Sequence, residues 1–204
     1  MTVVVVSTRY DRATRTTHQW AKNFVVALNQ IGFHAVTLYA SGVNAVSLQQ
    51  SLCGADVLVF FGHGEPDRLI GQRSRLWIGS GPTLVDVSTV NLLSNVKVYA
   101  VCCQASLQLG KAYAAVAPAG AFLGYEAPFG LSYPNAALFE REVIFGGLDF
   151  VYGKNPPSSV ASNLRQRWKR LSDQFLNGKL QNSHDHFLAG YAAATNALFV
   201  ALTP

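Results

Sequence analysis

The hydrophobic positions of the chain fall into short, nearly continuous runs, separated by polar or glycine-containing segments. Five of these runs are rich in valine and aromatic residues and have the length of β-strands: residues 3–6, 35–38, 57–61, 96–101 and 121–125. Runs without polar alternation are typical of parallel strands that are buried on both faces. We therefore predict a central, mainly parallel sheet.

Between the runs, apolar positions recur with the period of an amphipathic helix. In residues 18–31, Trp20, Phe24 and Leu28 fall on one face, and Gly32 follows as a stop signal. The segment 187–202 is shorter than the about 20 residues that a membrane span needs, and we expect a helix buried in the core. Other predicted helices cover residues 44–52, 87–93, 136–145 and 160–175, and another starts near Ser106.

The alternation of strands and helices predicts an α/β fold, a three-layer sandwich with helices on both faces of the sheet. Two short apolar pieces, residues 69–71 and 76–79, indicate a small accessory hairpin beside it. No internal repeat or linker divides the sequence. We therefore expect one domain over residues 1–204.

Composition narrows the class of protein. The 204 residues are 50% hydrophobic and 13% charged, which excludes a disordered chain. The net charge is +5, and the basic residues cluster mainly at residues 165–170, a pattern typical of a solvated helix face. Because the sequence lacks RNA- and DNA-binding signatures, we expect no nucleic acid partner. Three cysteines fit a reducing compartment, and residues 1–6 are typical of a strand and not of a signal peptide, so we expect a cytoplasmic protein without a membrane partner.

Reactive side chains follow two successive strands. His63 stands between two glycines just after the third strand, and Cys102 and Cys103 end the fourth. Ligands of open parallel sheets bind at the carboxyl ends of the strands, so an imidazole and a thiol meet there if the two strands are neighbours. A nearby imidazolium and the amino terminus of the following helix would favour the thiolate.

These residues supply the groups for acyl transfer through a thioester. The thiolate is the nucleophile, and His63 would protonate the leaving amine. The backbone N–H groups of Gly64 and of the cysteine are candidates for an oxyanion hole, since a glycine lets the backbone approach a substrate closely. This chemistry needs no metal and no cofactor.

The segment "VLVFFGHGEPDRLIG", followed by "LVDVSTVNLLSNVKVYAVCCQAS", resembles the caspase-like cysteine peptidases, in particular their CHAT, clostripain and metacaspase branches. The resemblance covers roughly residues 55–130. It implies a caspase-like sheet, His63 as general base and acid, and Cys103, directly before Gln104, as the nucleophile. Cys102 would then point to the other face of its strand, as a core thiol. Metacaspases carry an aspartate where this chain has Val101. The resemblance therefore implies the positions of the catalytic residues but not a preference for a particular substrate side chain.

Other polar residues are weaker candidates. Glu126 follows the fifth strand at the same edge, where we expect it to contribute to substrate binding; Glu65 and Asp67 stay unassigned. The metal-capable residues 184–186 lack further ligands at regular spacing.

The main functional hypothesis is a cysteine endopeptidase that acts on a protein or peptide substrate. The alternative is a catalytically silent or partner-activated caspase-like binding module, whose apolar surface engages a regulatory protein. A third reading, an amidotransferase-like thiol hydrolase, lacks the expected Gly-x-Cys-x-Gly elbow around residues 101–105.

Overall fold

Two sheets and six helices make up the parts of the chain that the computed structural model describes, residues 1–73, 81–178 and 184–203. In chain order the strands are β1 (Thr2–Ser7), β2 (His34–Tyr39), β3 (Val57–Phe61), β4 (Gly64–Glu65), β5 (Arg68–Ile70), β6 (Thr83–Asp86), β7 (Lys97–Val101), β8 (Phe122–Tyr125) and β9 (Val200–Thr203). The helices are α1 (Arg12–Gln30), α2 (Ala45–Leu52), α3 (Leu109–Val116), α4 (Ala136–Tyr152), α5 (Pro157–Leu176) and α6 (His184–Phe199).

The larger sheet has the strand order β2-β1-β3-β7-β8-β9, in which the first five strands are parallel and β9 runs antiparallel to β8. Its parallel strands are the five predicted ones, each within one residue at either end. The smaller sheet is antiparallel, with the order β4-β5-β6. The prediction of an α/β fold with a mainly parallel sheet is confirmed.

The core lies on both faces of the larger sheet, because its strands alternate their buried side chains between two clusters. Val3 and Val5 of β1 belong to one cluster, whereas Val4 and Val6 belong to the other, and all four are fully buried. Helices α1, α4, α5 and α6 cover the first face, and α2 and α3 cover the second. Helices on both faces give the three layers that the sequence predicts.

Helix α1 begins at Arg12, ahead of the predicted start at residue 18. Asp11 is its N-cap and accepts a hydrogen bond from the Thr14 N–H, while the Thr14 side chain accepts one from the Asp11 N–H. This reciprocal capping box satisfies backbone donors of the first turn, and the apolar period alone could not locate it.

The predicted buried helix over residues 187–202 is wrong in two respects. The helix ends at Phe199, and residues 200–203 form β9 on β8. Its outer face is also exposed, with Phe187, Tyr191 and Leu198 each more than half accessible. The apolar composition of residues 187–202 thus has two sources: a strand, and a helix that carries apolar residues on its outer face.

Three smaller expectations also change. Residues 87–93 form only a 3-10 turn at Val90–Leu93, because the Asp86 carboxylate accepts hydrogen bonds from the Ser88 and Thr89 N–H groups and closes a turn. Helix α4 extends to Tyr152, past the predicted end at residue 145. Of the predicted hairpin, residues 69 and 70 lie in β5, and residues 76–79 lie outside the described residues.

Candidate active site

The two sequence motifs follow paired residues of neighbouring parallel strands. Phe61 of β3 stands opposite Val101 of β7, and the Gly62 N–H donates a hydrogen bond to the Val101 carbonyl. His63 and Cys103 each lie two residues beyond this pair. The chain therefore emerges with both residues at one edge of the sheet, where the carboxyl ends of its strands lie.

Gly64 packs directly against the Cys103 carbonyl and the Cys102 side chain. A Cβ at this position would lie 2.6 Å from the Cys103 carbonyl oxygen and 2.7 Å from the Cys102 Sγ, distances that real Cβ atoms do not adopt. The Ile70 N–H donates to the His63 carbonyl, and Gly64 stands opposite Leu69 in the next register position. In an antiparallel pair this position directs its N–H away from the partner strand. Only glycine allows this approach.

His63 is bound by a carboxylate that sequence reasoning missed. Its Nε2 lies 2.7 Å from Asp11 Oδ2, and both side chains are partly accessible, at 36% and 42%. Asp11 comes from the far end of the β1–α1 connection, 52 residues earlier in the chain. The available signal was an N-cap residue type shortly after the first strand, at the same edge of the sheet.

The same Asp11 side chain is held from two sides. Partial burial by itself would raise the pKa of Asp11, but hydrogen bonds from the Thr14 backbone and from His63 outweigh it and lower the pKa below its ordinary value. Asp11 is therefore ionised at neutral pH. With Nε2 engaged by this carboxylate, Nδ1 of His63 is the ring nitrogen left to exchange a proton.

The two adjacent thiols have different surroundings. Cys102 is 2% exposed and lies in the second core cluster, and this burial raises its pKa well above the ordinary value. Cys103 is half-buried, and its Sγ accepts a hydrogen bond from the Phe129 N–H at 3.3 Å. Burial raises the pKa of Cys103, and the Phe129 N–H partly offsets this. Cys103 is the more accessible of the pair.

The segment that supplies this donor, residues 126–130, is fixed by several contacts. The Gln104 N–H donates to the Ala127 carbonyl, and the Glu126 N–H donates to the Phe199 carbonyl. Asn196 of α6 binds Gly130 twice: its Oδ1 accepts from the Gly130 N–H at 2.8 Å and its Nδ2 donates to the Gly130 carbonyl at 2.9 Å. We call residues 126–130 the thiol-covering segment.

Backbone strain accompanies the candidate nucleophile. Gln104, the next residue, has a φ of 57°, in the left-handed region that residues other than glycine rarely adopt. Such a conformation costs about 1–2 kcal/mol and persists only where the surroundings impose it. Here the hydrogen bond from Gln104 to the thiol-covering segment is one of the contacts that impose it.

The expected helix amino terminus does not serve the thiol. The chain makes turns after β7, and α3 begins at Leu109 and not near Ser106. The N–H groups of Gln108 and Leu109 both donate to the Pro66 carbonyl, each at 2.9 Å. The loop after His63 therefore engages these first donors, and the donor to the thiol comes from Phe129 instead.

A cavity of about 310 Å³ opens beside His63, lined among others by Tyr10, Asp11, Glu65 and Arg73. Glu65 is bound to Arg68, whose Nε donates to it at 2.8 Å. The predicted substrate-binding residue Glu126 is exposed at the end of β8 and does not line this cavity. Asp11 is thus the acid next to the imidazole.

No protein-family model matches the chain, and no curated protein matches it. Within residues 1–73, 81–178 and 184–203, no three His, Cys, Asp or Glu side chains form a group that could hold a metal ion. None of the helices in this part of the chain is long and apolar enough to cross a membrane.

Proposed function

We propose that the protein is a caspase-like cysteine endopeptidase with Cys103 as nucleophile and His63 as general base and acid. The observation that carries the proposal is the pairing of Phe61 with Val101, since each residue is followed two positions later by one member of the dyad. The close packing of Gly64 on the Cys103 carbonyl brings the backbone after His63 against the backbone of the proposed nucleophile.

The proposed hydrolysis of a peptide bond needs only these groups and one water molecule. His63 takes the thiol proton, the Cys103 sulfur attacks the peptide carbonyl carbon, and the Gly64 and Cys103 N–H groups stabilise the oxyanion. The carbon–nitrogen bond breaks as His63 gives its proton to the leaving amine, which leaves a thioester. Water, deprotonated by the same imidazole, then hydrolyses the thioester and releases the acid and the free thiol. Asp11 orients the ring throughout.

The resting state also supports a second candidate, a caspase-like module that is silent until a partner activates it. The pKa of Cys103 is raised, and its thiol is bound to the Phe129 N–H beneath the thiol-covering segment. A raised pKa lowers the thiolate fraction at neutral pH. This alternative keeps the same dyad and differs only in whether the segment must first move.

The test is active-site labelling with a thiol-directed peptide electrophile, read by mass spectrometry of each cysteine, together with cleavage of a diverse peptide library. Cys53 is exposed and serves as an internal control for ordinary alkylation. We expect the electrophile to label Cys103 in the wild type and in Cys102→Ala, and neither labelling nor cleavage in Cys103→Ala. In His63→Ala, cleavage is lost while Cys53 still reacts.

Equal cleavage by wild type and Cys103→Ala would overturn the peptidase proposal. Absence of cleavage by the wild type, with Cys103 unreactive and Cys53 reactive, would favour the silent module. Labelling of Cys102 in place of Cys103 would exchange the roles of the two thiols.

A further inference from the structure

A second cavity, on the surface of α4 and α5, has a strongly positive lining. It measures about 310 Å³ and is lined by Arg141, Arg167 and Arg170, with Glu142 as the acid among its lining residues. Phe145 and Leu171 supply apolar surface beside these charges. The cavity shares no lining residue with the one beside His63.

Glu142 holds two of the guanidinium groups in place. Its side chain is only 5% exposed. Its Oε1 accepts from Arg141 Nε at 2.9 Å and lies 2.7 Å from Arg141 Nη2, while its Oε2 lies 2.8 Å from Arg167 Nε. The guanidinium of Arg167 also lies over the Phe145 ring, 4.3 Å from its centroid. A buried carboxylate thus fixes planar donors before any ligand arrives.

The charges do not balance. One carboxylate offsets one of three arginines, so two positive charges remain on groups that line the same small space. The Arg167 Nε is buried and lies against Glu142, so this carboxylate already engages that edge of the guanidinium.

We propose that this cavity binds the phosphate monoester group of a small molecule. Guanidinium forks match phosphate oxygens, and a phosphate monoester carries close to the two negative charges that the lining lacks. The volume lies at the lower end of the range for ligand pockets, which suits a phosphate group on a few carbon atoms and not a large ligand. This site does not depend on the peptidase proposal.

The experiment is a titration followed by phosphorus NMR, with inorganic phosphate and glycerol phosphate as probes at constant ionic strength. Arg170→Gln removes one lining charge and leaves both ion pairs of Glu142 in place. Lys169→Gln is the matched control, because Lys169 is an exposed neighbour on α5 that does not line the cavity. We expect saturable binding of both probes, weakened about tenfold by Arg170→Gln, as for one charge-assisted hydrogen bond, and less than about twofold by Lys169→Gln.

Equal weakening by the two substitutions would show attraction to net charge alone and would overturn the proposal. A lack of saturation at probe concentrations up to about 10 mM, at which a Kd near 1 mM is readily measured, would also overturn the proposal. A phosphoserine peptide and its unphosphorylated form provide the last arm. Binding of the phosphopeptide at least about tenfold tighter than glycerol phosphate would reassign the site to a phosphorylated protein segment, and comparable or weaker binding supports the small-molecule site.

Discussion

At the scale of single residues, Asp11 has two tasks that chemistry can separate. It caps α1 through Thr14 and it binds His63 Nε2. Asparagine caps a helix about as well as aspartate but carries no charge, whereas alanine provides neither function. The two tasks therefore respond differently to two substitutions at the same position.

If the protein is the proposed peptidase, we expect Asp11→Asn to keep the wild type's stability against urea but to lower kcat for peptide hydrolysis at least about tenfold, because the imidazole loses its ionic partner. Asp11→Ala should lose activity as well and destabilise the fold by about 0.5–2 kcal/mol. Peptide hydrolysis and urea denaturation of both variants measure this. Full activity in Asp11→Asn would show that the carboxylate does not assist His63.

Gln104 gives a second residue-scale prediction, since its positive φ is unfavourable for any side chain. Gln104→Gly should raise the free energy of unfolding by up to about 1 kcal/mol. Glycine removes the cost of the left-handed conformation, but part of this gain is lost because the unfolded chain has more conformational entropy with glycine. Gln104→Ala keeps a Cβ and is the control without this gain. Chemical denaturation of the three proteins tests it, and a gain in the alanine variant equal to that in the glycine variant would contradict the strain argument.

At the scale of elements, the sequence predicts the strands well and the boundaries between elements poorly. Strands β3 and β7 are nearly continuous apolar runs buried on both faces, so composition and length suffice. The first turn of α1 is polar, and its start depends on a hydrogen-bonded cap that hydrophobic periodicity does not register. The last apolar run contains both α6 and β9, and only the pairing of β9 with β8 divides them.

The candidate site divides in the same way. His63 and Cys103 follow apolar runs, so their place at the strand ends could be predicted from the sequence, whereas their roles stay a prediction. Asp11 and Phe129 act through contacts across 52 and 26 residues of chain, which no local pattern encodes. A residue that merely donates a backbone N–H, as Phe129 does, leaves no side-chain signature at all.

Helix α6 contacts the thiol-covering segment through the 1% exposed side chain of Asn196, which makes two hydrogen bonds to Gly130. Asn196→Ala would leave the Gly130 N–H and carbonyl without this partner, at a cost of about 1–3 kcal/mol. We expect alkylation of Cys103 to become several-fold faster, while that of Cys53 stays constant. Thr195→Ala is the control, because its hydroxyl bonds only within α6. A loss of stability without faster alkylation of Cys103 would show that the segment does not limit access.

At the scale of the whole molecule, stability should depend on pH through a buried histidine outside the site. His18 of α1 is 6% exposed, and its Nδ1 lies 2.8 Å from the Ser7 hydroxyl oxygen at the end of β1. Burial, and then the positive charges of Lys22 and Arg9, lower the pKa of His18 below the 6.5 of an unperturbed histidine. The folded protein therefore keeps this ring neutral at a pH where the unfolded chain already protonates it.

The stability that His18 contributes is complete above pH 6.5 and is lost as the pH falls through its lower folded pKa, because the unfolded state binds the proton first. We expect the urea midpoint to fall between about pH 7 and pH 5. His18→Asn, whose amide can still bond Ser7, should flatten this part of the profile. His34→Asn, at an exposed histidine of β2, should leave its slope unchanged. Parallel profiles of wild type and His18→Asn would refute the assignment.

The tight fit of Gly64 has a consequence for any search for relatives of this chain. A position with 2.6 Å between a hypothetical Cβ and a backbone oxygen tolerates no other residue, although Gly64 is only half-buried. A Cβ at Gly62 would lie 2.7 Å from the Phe60 ring and 2.8 Å from the Thr8 hydroxyl, which are side-chain atoms and not backbone. In a saturation mutagenesis screen Gly64 should be as intolerant of substitution as core valines, and Gly62 less so, because its neighbours are side chains that can shift. A profile that weights Gly62, His63 and Gly64 together with Cys103 should detect distant homologues that overall identity would miss.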